Sequence, residues 1–165
     1  MKVIKGDPLR GSRLKIGLIV SRFNEDVTKR LWDGAMVAFG EAGVPDRSVT
    51  LFSVPGAFEI PGAAQRMAAT GKFDAIVCLG AVIRGETAHF ELVADAAQQG
   101  VLRVALDSGI PVTFGVLATE TQEQALARAS EGAPGATDLH AEWDNKGYEA
   151  ARSALEMADA YRKLR

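Results

Sequence analysis

Apolar residues along this chain fall into short β-rich runs separated by longer stretches with helical spacing. Residues 14–20 (LKIGLIV) form the first run, the pattern of a strand buried on both faces. Asn24 is placed to cap a following helix, with Glu25 and Asp26 in the first turn, where carboxylates suit the helix dipole. Val27, Leu31, Gly34, Ala35, Ala38 and Phe39 share one face of that helix, which Gly43 and Pro45 stop. Val49–Val54 predicts a second strand ending at Pro55-Gly56, and Pro61 suits the first turn of a short helix reaching Gly71. Residues 75–79 predict a third strand, broken by Gly80. A segment to Gly85 then leads into a long helix over residues 87–108. Gly109 and Pro111 end that helix, and residues 112–117 predict a fourth strand. Thr121 and Gln124 have capping-box spacing for a helix through Ala129. Residues 130–144, with Gly132, Pro134 and Gly135, read as a long loop. A last helix starts near Lys146, with Tyr148, Ala151, Leu155, Ala158 and Tyr161 as its apolar stripe.

Strands alternating with helices imply a mainly parallel sheet covered on both faces. The expected fold is a flavodoxin-like three-layer α/β/α sandwich around a central four-stranded sheet. With 165 residues the chain is expected to be a single domain, residues 1–13 forming an N-terminal extension. The 47% hydrophobic and 24% charged residues exclude a disordered chain. A net charge of −2 gives no electrostatic footprint for nucleic acid or a membrane surface. One cysteine, Cys78, excludes an intramolecular disulfide and a Cys-based zinc site, and two histidines, His89 and His140, argue against a histidine-rich metal centre. The N-terminus has no apolar leader pattern and no run approaches membrane-spanning length, so a cytoplasmic location is expected.

In an open parallel sheet, ligands bind beyond the carboxyl ends of the strands, where the unusual residues of this chain fall. Phe23 is either a stacking platform for a planar ligand or a staple against the next helix. Phe58 also lies where the apolar periodicity has stopped. Glu59 is either an acceptor for a ligand's hydroxyl or amide groups or a carboxylate at a helix N-terminus. In Gly80-Ala81-Val82-Ile83-Arg84-Gly85-Glu86-Thr87-Ala88-His89-Phe90, Gly85 admits close backbone approach and Thr87 can cap the helix. Free N–H groups there would attract phosphate. His89 falls in the first turn, where the dipole disfavours imidazolium, so it is either a general acid or base or a solvent-facing histidine. No G-x-G-x-x-G follows the first strand, which argues against a dinucleotide. Ser21-Arg22-Phe23-Asn24 is not the small, hydroxyl-rich loop of a flavodoxin-type FMN site. Arg128 reads as solvated and Cys78 as an inert core thiol, while His140 with Trp143 is either ligand-facing or, the favoured reading, a surface contact.

The segments SRFN, VPGAFEIP, GAVIRGETAHFE, PVTFGVLATE, EQALARA and the NKG before the last helix resemble the 6,7-dimethyl-8-ribityllumazine synthase family, in order and spacing, over residues 3–164. The resemblance implies condensation of 5-amino-6-(D-ribitylamino)uracil with 3,4-dihydroxy-2-butanone 4-phosphate, the penultimate step of riboflavin synthesis, without cofactor or metal. It implies that Phe23 stacks on the pyrimidine, that Ala57, Phe58 and Glu59 hold the ribityl chain, and that Ala81, Val82 and Ile83 meet the uracil edge through backbone groups. Glu86 and Thr87 correspond to the phosphate loop, His89 to the acid/base residue, and Lys146 to a lysine near the ring system. Phe114 and Arg128, the latter pairing with phosphate, would come from a neighbouring subunit of a pentameric ring. Two departures shape these expectations. Glu86 sets a carboxylate beside the phosphate position, so only its backbone is expected to bind. The 130–144 loop is longer than in compact members and lies where pentamers would pack, so a free pentamer is favoured over an icosahedral 60-mer. The alternatives are an archaeal-type riboflavin synthase, against which the histidine-bearing loop and VPGAFEIP argue, and a non-catalytic lumazine- or flavin-binding or shell protein.

Overall fold

The computed structural model describes residues 1–132 and 144–164. Its four strands, β1 (Ile16–Ser21), β2 (Val49–Val54), β3 (Ala75–Ile83) and β4 (Val112–Thr119), form one parallel sheet in the order β2-β1-β3-β4. The helices are α1 (Glu25–Glu41), α2 (Ile60–Ala69), α3 (His89–Ser108), α4 (Gln122–Ala127) and α5 (Lys146–Arg162). The alternation of side chains along a strand divides the core in two. Ile16, Leu18 and Val20 of β1 and Val77 and Leu79 of β3 pack with α1, α4 and α5. Ile19, Ile76 and Cys78 pack on the other face with α2 and α3. This is the expected three-layer sandwich, with the strand order of flavodoxin-type folds. The expectations for Pro134, Gly135, His140 and Trp143 lie outside the described residues.

The structure differs from the sequence pattern at several ends. Gly80 does not break β3, which runs on to Ile83 and pairs with β4 as far as Thr119. A Cβ at position 80 would stand 3.0 Å from both Ile60 Cδ1 and Ser21 Oγ. The glycine therefore lets the start of α2 press against the sheet rather than ending the strand. Asn24 stands at the start of α1 but does not cap it with its side chain. Its backbone is left-handed (φ 60°, ψ 52°), and its Nδ2 donates instead to the Ala81 carbonyl at 2.9 Å. Helix α3 starts at His89 rather than Thr87, and α4 stops at Ala127. Thr121 Oγ1 does accept from Gln124 N, but Gln124 Oε1 reaches back to Glu120 N rather than to the cap residue.

Residues 5–7 of the N-terminal extension lie against α5. The Asp7 N–H donates to Asp159 Oδ2 at 2.9 Å, and Lys163 Nζ donates to the Lys5 carbonyl at 2.9 Å. A Cβ on Gly6 would collide with the Glu156 carbonyl, so the extension lies directly on the helix backbone. Helices α1 and α5 cross as closely: a Cβ at Gly147 would strike the Leu31 carbonyl.

Candidate active site

The carboxyl ends of β1, β2 and β3 open into a cavity of about 680 Å³ whose far wall is the first turn of α3. β1 and β2 continue their pairing beyond the strands, with Arg22 N donating to Val54 O at 2.9 Å and Phe23 N to Pro55 O at 3.1 Å. These bonds fix Phe23 beside the Pro55–Glu59 turn. The Phe23 ring is 72% exposed, so it is not a staple buried against α1. Phe58, 62% exposed, presents a second aromatic ring at the same rim. Two large exposed rings flanking one cavity offer flat apolar faces to a planar ligand.

Glu59 is shaped by its own turn. Its Oε2 accepts from the Gly56 N–H at 2.9 Å, closing the one-turn helix Ala57–Glu59 that leads into α2. Oε1 has no partner among the described residues and remains available as an acceptor. Ala57 lies buried below it. Across the cavity, the end of β3 brings Ala81, Val82 and Ile83, with Asn24 tying this wall to the start of α1 through the Ala81 carbonyl.

Thr87 and His89 complete the wall, and His89 is exposed at the first position of α3. The His89 N–H approaches Thr87 Oγ1 at 3.4 Å. Among the described residues, no backbone N–H from residues 85–88 donates to a protein acceptor. Gly85 and Thr87 of this segment line the cavity, and unpaired amides at the positive end of a 20-residue helix attract anions. Glu86 is exposed and does not line the cavity. Phe90 and Val93 also line it and were not singled out from sequence; Val93 follows His89 at helical spacing, the signal that could have found it.

An ion cluster joins the residues that flank this segment. Arg84 donates from Nε to Glu120 Oε2 at 2.5 Å and from Nη1 to Glu91 Oε1 at 2.6 Å. Its guanidinium carbon lies 4.6 Å from the Phe90 ring centroid. Hydrogen bonds to Glu120 first and Glu91 second push the Arg84 pKa up, and the bond from Arg84 lowers that of Glu91.

The other expected site residues gather elsewhere on the chain. Phe114, Arg128 and Lys146 line a second cavity, of about 560 Å³, between β4 and α5. Arg128 Nη1 pairs with Asp144 Oδ2 at 2.9 Å. Lys146 Nζ lies 2.9 Å from Glu149 Oε1 and 3.1 Å from Asp144 Oδ1; Glu149, then Asp144, raises its pKa. Within one chain, then, Phe23, Ala57, Phe58, Glu59, Ala81, Val82, Ile83, Thr87 and His89 meet in one cavity, and Phe114, Arg128 and Lys146 meet in another. Among the described residues, no group of His, Cys, Asp or Glu is placed to hold a metal, and no helix is long and apolar enough to cross a membrane. The chain matches the family described as 6,7-dimethyl-8-ribityllumazine synthase over residues 13–162, a span that takes in the whole sheet and both cavities. With the match covering nearly all of its length, the chain belongs to the 6,7-dimethyl-8-ribityllumazine synthase family.

Proposed function

We propose that the chain, acting as a single cytoplasmic domain, joins 5-amino-6-(D-ribitylamino)uracil to 3,4-dihydroxy-2-butanone 4-phosphate and releases 6,7-dimethyl-8-ribityllumazine, phosphate and water. The observation that carries this reading is the first cavity, which brings together exposed aromatic rings, an acceptor carboxylate and a segment of unpaired amides. Phe23 stacks on the pyrimidine and Glu59 Oε1 accepts from the ribityl hydroxyls. Backbone groups of Ala81, Val82 and Ile83 bond the uracil edge. The amides of residues 85–88, including those of Glu86 and Thr87, bind the phosphate.

The chemistry needs alignment more than force. The aromatic amine attacks the ketone and water leaves, giving an imine. The proton on the adjacent hydroxyl-bearing carbon is lost as phosphate departs from its neighbour, and the enol so formed tautomerises to a new ketone. The ribitylamino nitrogen then closes on that carbonyl and a second water leaves. Holding both substrates in line supplies most of the acceleration. His89, at the cavity wall, moves the protons.

The second cavity belongs to the same reaction in a neighbouring copy. Phe114, Arg128 and Lys146 lie beside β4, the edge strand of the sheet among the described residues. In a homopentamer they would close the first cavity of the adjacent subunit, with Arg128 turning from Asp144 to the substrate phosphate. The exposed side chains Leu51, Phe52, Leu92, Leu102, Leu106 and Phe114 support such packing between copies.

The test is to mix purified protein with both substrates and follow the absorbance or fluorescence of the lumazine formed. His89→Ala is expected to slow turnover about 10²-fold or less, since general acid–base help is the smaller part of this catalysis. A wild type that binds the pyrimidine and forms no lumazine would contradict the reaction. Complete inactivity of a folded, ligand-binding His89→Ala would contradict the role given to alignment.

A further inference from the structure

Among the described residues, none of the amides of residues 85–88 donates to a protein acceptor, so these amides are not held in place by bonds of their own. Arg84 stands at the entry to this segment, where the Arg84 N–H donates to the Thr119 carbonyl at 2.9 Å, the last rung between β3 and β4. Its side chain then grips the exit. Nη1 reaches Glu91, seven residues on, in the first turn of α3, and the guanidinium plane lies over Phe90 between them. Nε reaches Glu120, just beyond β4, whose own N–H is held by Gln124 Oε1 of α4. One guanidinium thus ties both ends of residues 85–88 to each other and to the end of β4. Both carboxylates engage it, so the positive charge is occupied and not directed at the cavity; Arg84 does not line it.

We propose that Arg84 is a positioning residue: the Glu120–Arg84–Glu91 clamp, with Phe90 as its platform, fixes the amides of residues 85–88 in the arrangement that receives the phosphate. The inference rests on the proposed reaction for the identity of that anion. Lysine is a poor substitute, because one ammonium cannot offer two forked donors and a planar face together.

The test compares wild type with Arg84→Ala, Arg84→Lys, Glu91→Gln and Glu120→Gln. It measures KM for each substrate, inhibition by inorganic phosphate, and amide hydrogen exchange over residues 85–89. Arg84→Ala is expected to raise KM for the phosphorylated ketone and the inhibition constant of inorganic phosphate about tenfold, with the pyrimidine KM within about twofold and faster exchange in that segment. Arg84→Lys is expected to behave similarly. The two glutamine variants carry the weight of the test, because each removes a negative charge and keeps Arg84. A clamp predicts weaker phosphate binding in both. A direct Arg84–phosphate contact predicts unchanged or tighter binding, and that result would overturn the proposal. So would an equal rise in KM for both substrates, which would mark a general loss of structure. A wild type that forms no lumazine would instead overturn the proposed reaction; the exchange of residues 85–89 in the four variants would still decide whether the clamp exists.

Discussion

Cys78 lies in the middle of β3 with no exposed surface, and burial pushes its thiol up to about 12 from an ordinary 9.0. Apolar walls cannot solvate a thiolate, so the native thiol stays protonated and unreactive. Native protein at pH 8 is expected to resist iodoacetamide, with alkylation appearing only as the chain unfolds. Labelling that outruns unfolding would contradict the burial. The same shift has a sign for stability. A raised folded value means that the contribution is fully present below pH 9.0 and is lost as pH rises from there towards about 12, because only the unfolded thiol ionises. Cys78→Ala is expected to flatten that alkaline decline in denaturation midpoints. Single residues of the candidate site were legible where they interrupt a pattern: Phe23 and Phe58 stand out because the apolar periodicity stops around them, Glu59 because it is a charge in an apolar turn, and His89 because it falls in the first turn of a predicted helix. Arg84 could not be read this way. A charged residue in a loop says nothing of partners 7 and 36 positions away.

At the scale of elements, alternating strands and helices carried the sandwich, because a period of two and a helical period cannot be exchanged without exposing a core face. Tertiary contacts decided the ends. Gly80 resembles a strand breaker in sequence and is instead the place where Ile60 needs room. Asn24 resembles a cap and is instead a cross-link from α1 to β3. The cap that does close a helix with two bonds, Asn145, was legible only as part of a motif. Its Oδ1 accepts from Gly147 N and Tyr148 N at the start of α5, and its Nδ2 donates to the carbonyls of Arg30 and Ser130. The residue is 1% exposed, so no water replaces these bonds. Asn145→Ala removes a cap and strands two carbonyls, a loss expected at about 2–4 kcal/mol. Asn145→Asp keeps the acceptor and sets a carboxylate oxygen against those carbonyls, so it should recover none of that loss. Urea denaturation checks both; a loss under about 1 kcal/mol for Asn145→Ala would mean the bonds contribute little net stability.

At the scale of the molecule, the distribution of the two cavities is the fact to be explained. Phe23, Glu59 and His89 share one, while Phe114 and Arg128 share another beside the edge strand β4. If the proposed pentamer joins them, every active site takes one half from each of two chains. Phe23→Ala and Arg128→Ala homomeric rings should then each be nearly inactive, since each spoils every site once. In rings refolded from a mixture, some interfaces bring the wild-type Phe23 side of one chain against the wild-type Arg128 side of its neighbour. Those sites are whole, and activity should rise above that of either variant and pass through a maximum as the mixing ratio is varied. Mass spectrometry of intact assemblies establishes that mixed rings have formed. Mixed rings with only the summed activities of the two variants would put all catalytic groups within one chain and leave the second cavity without a part in the reaction.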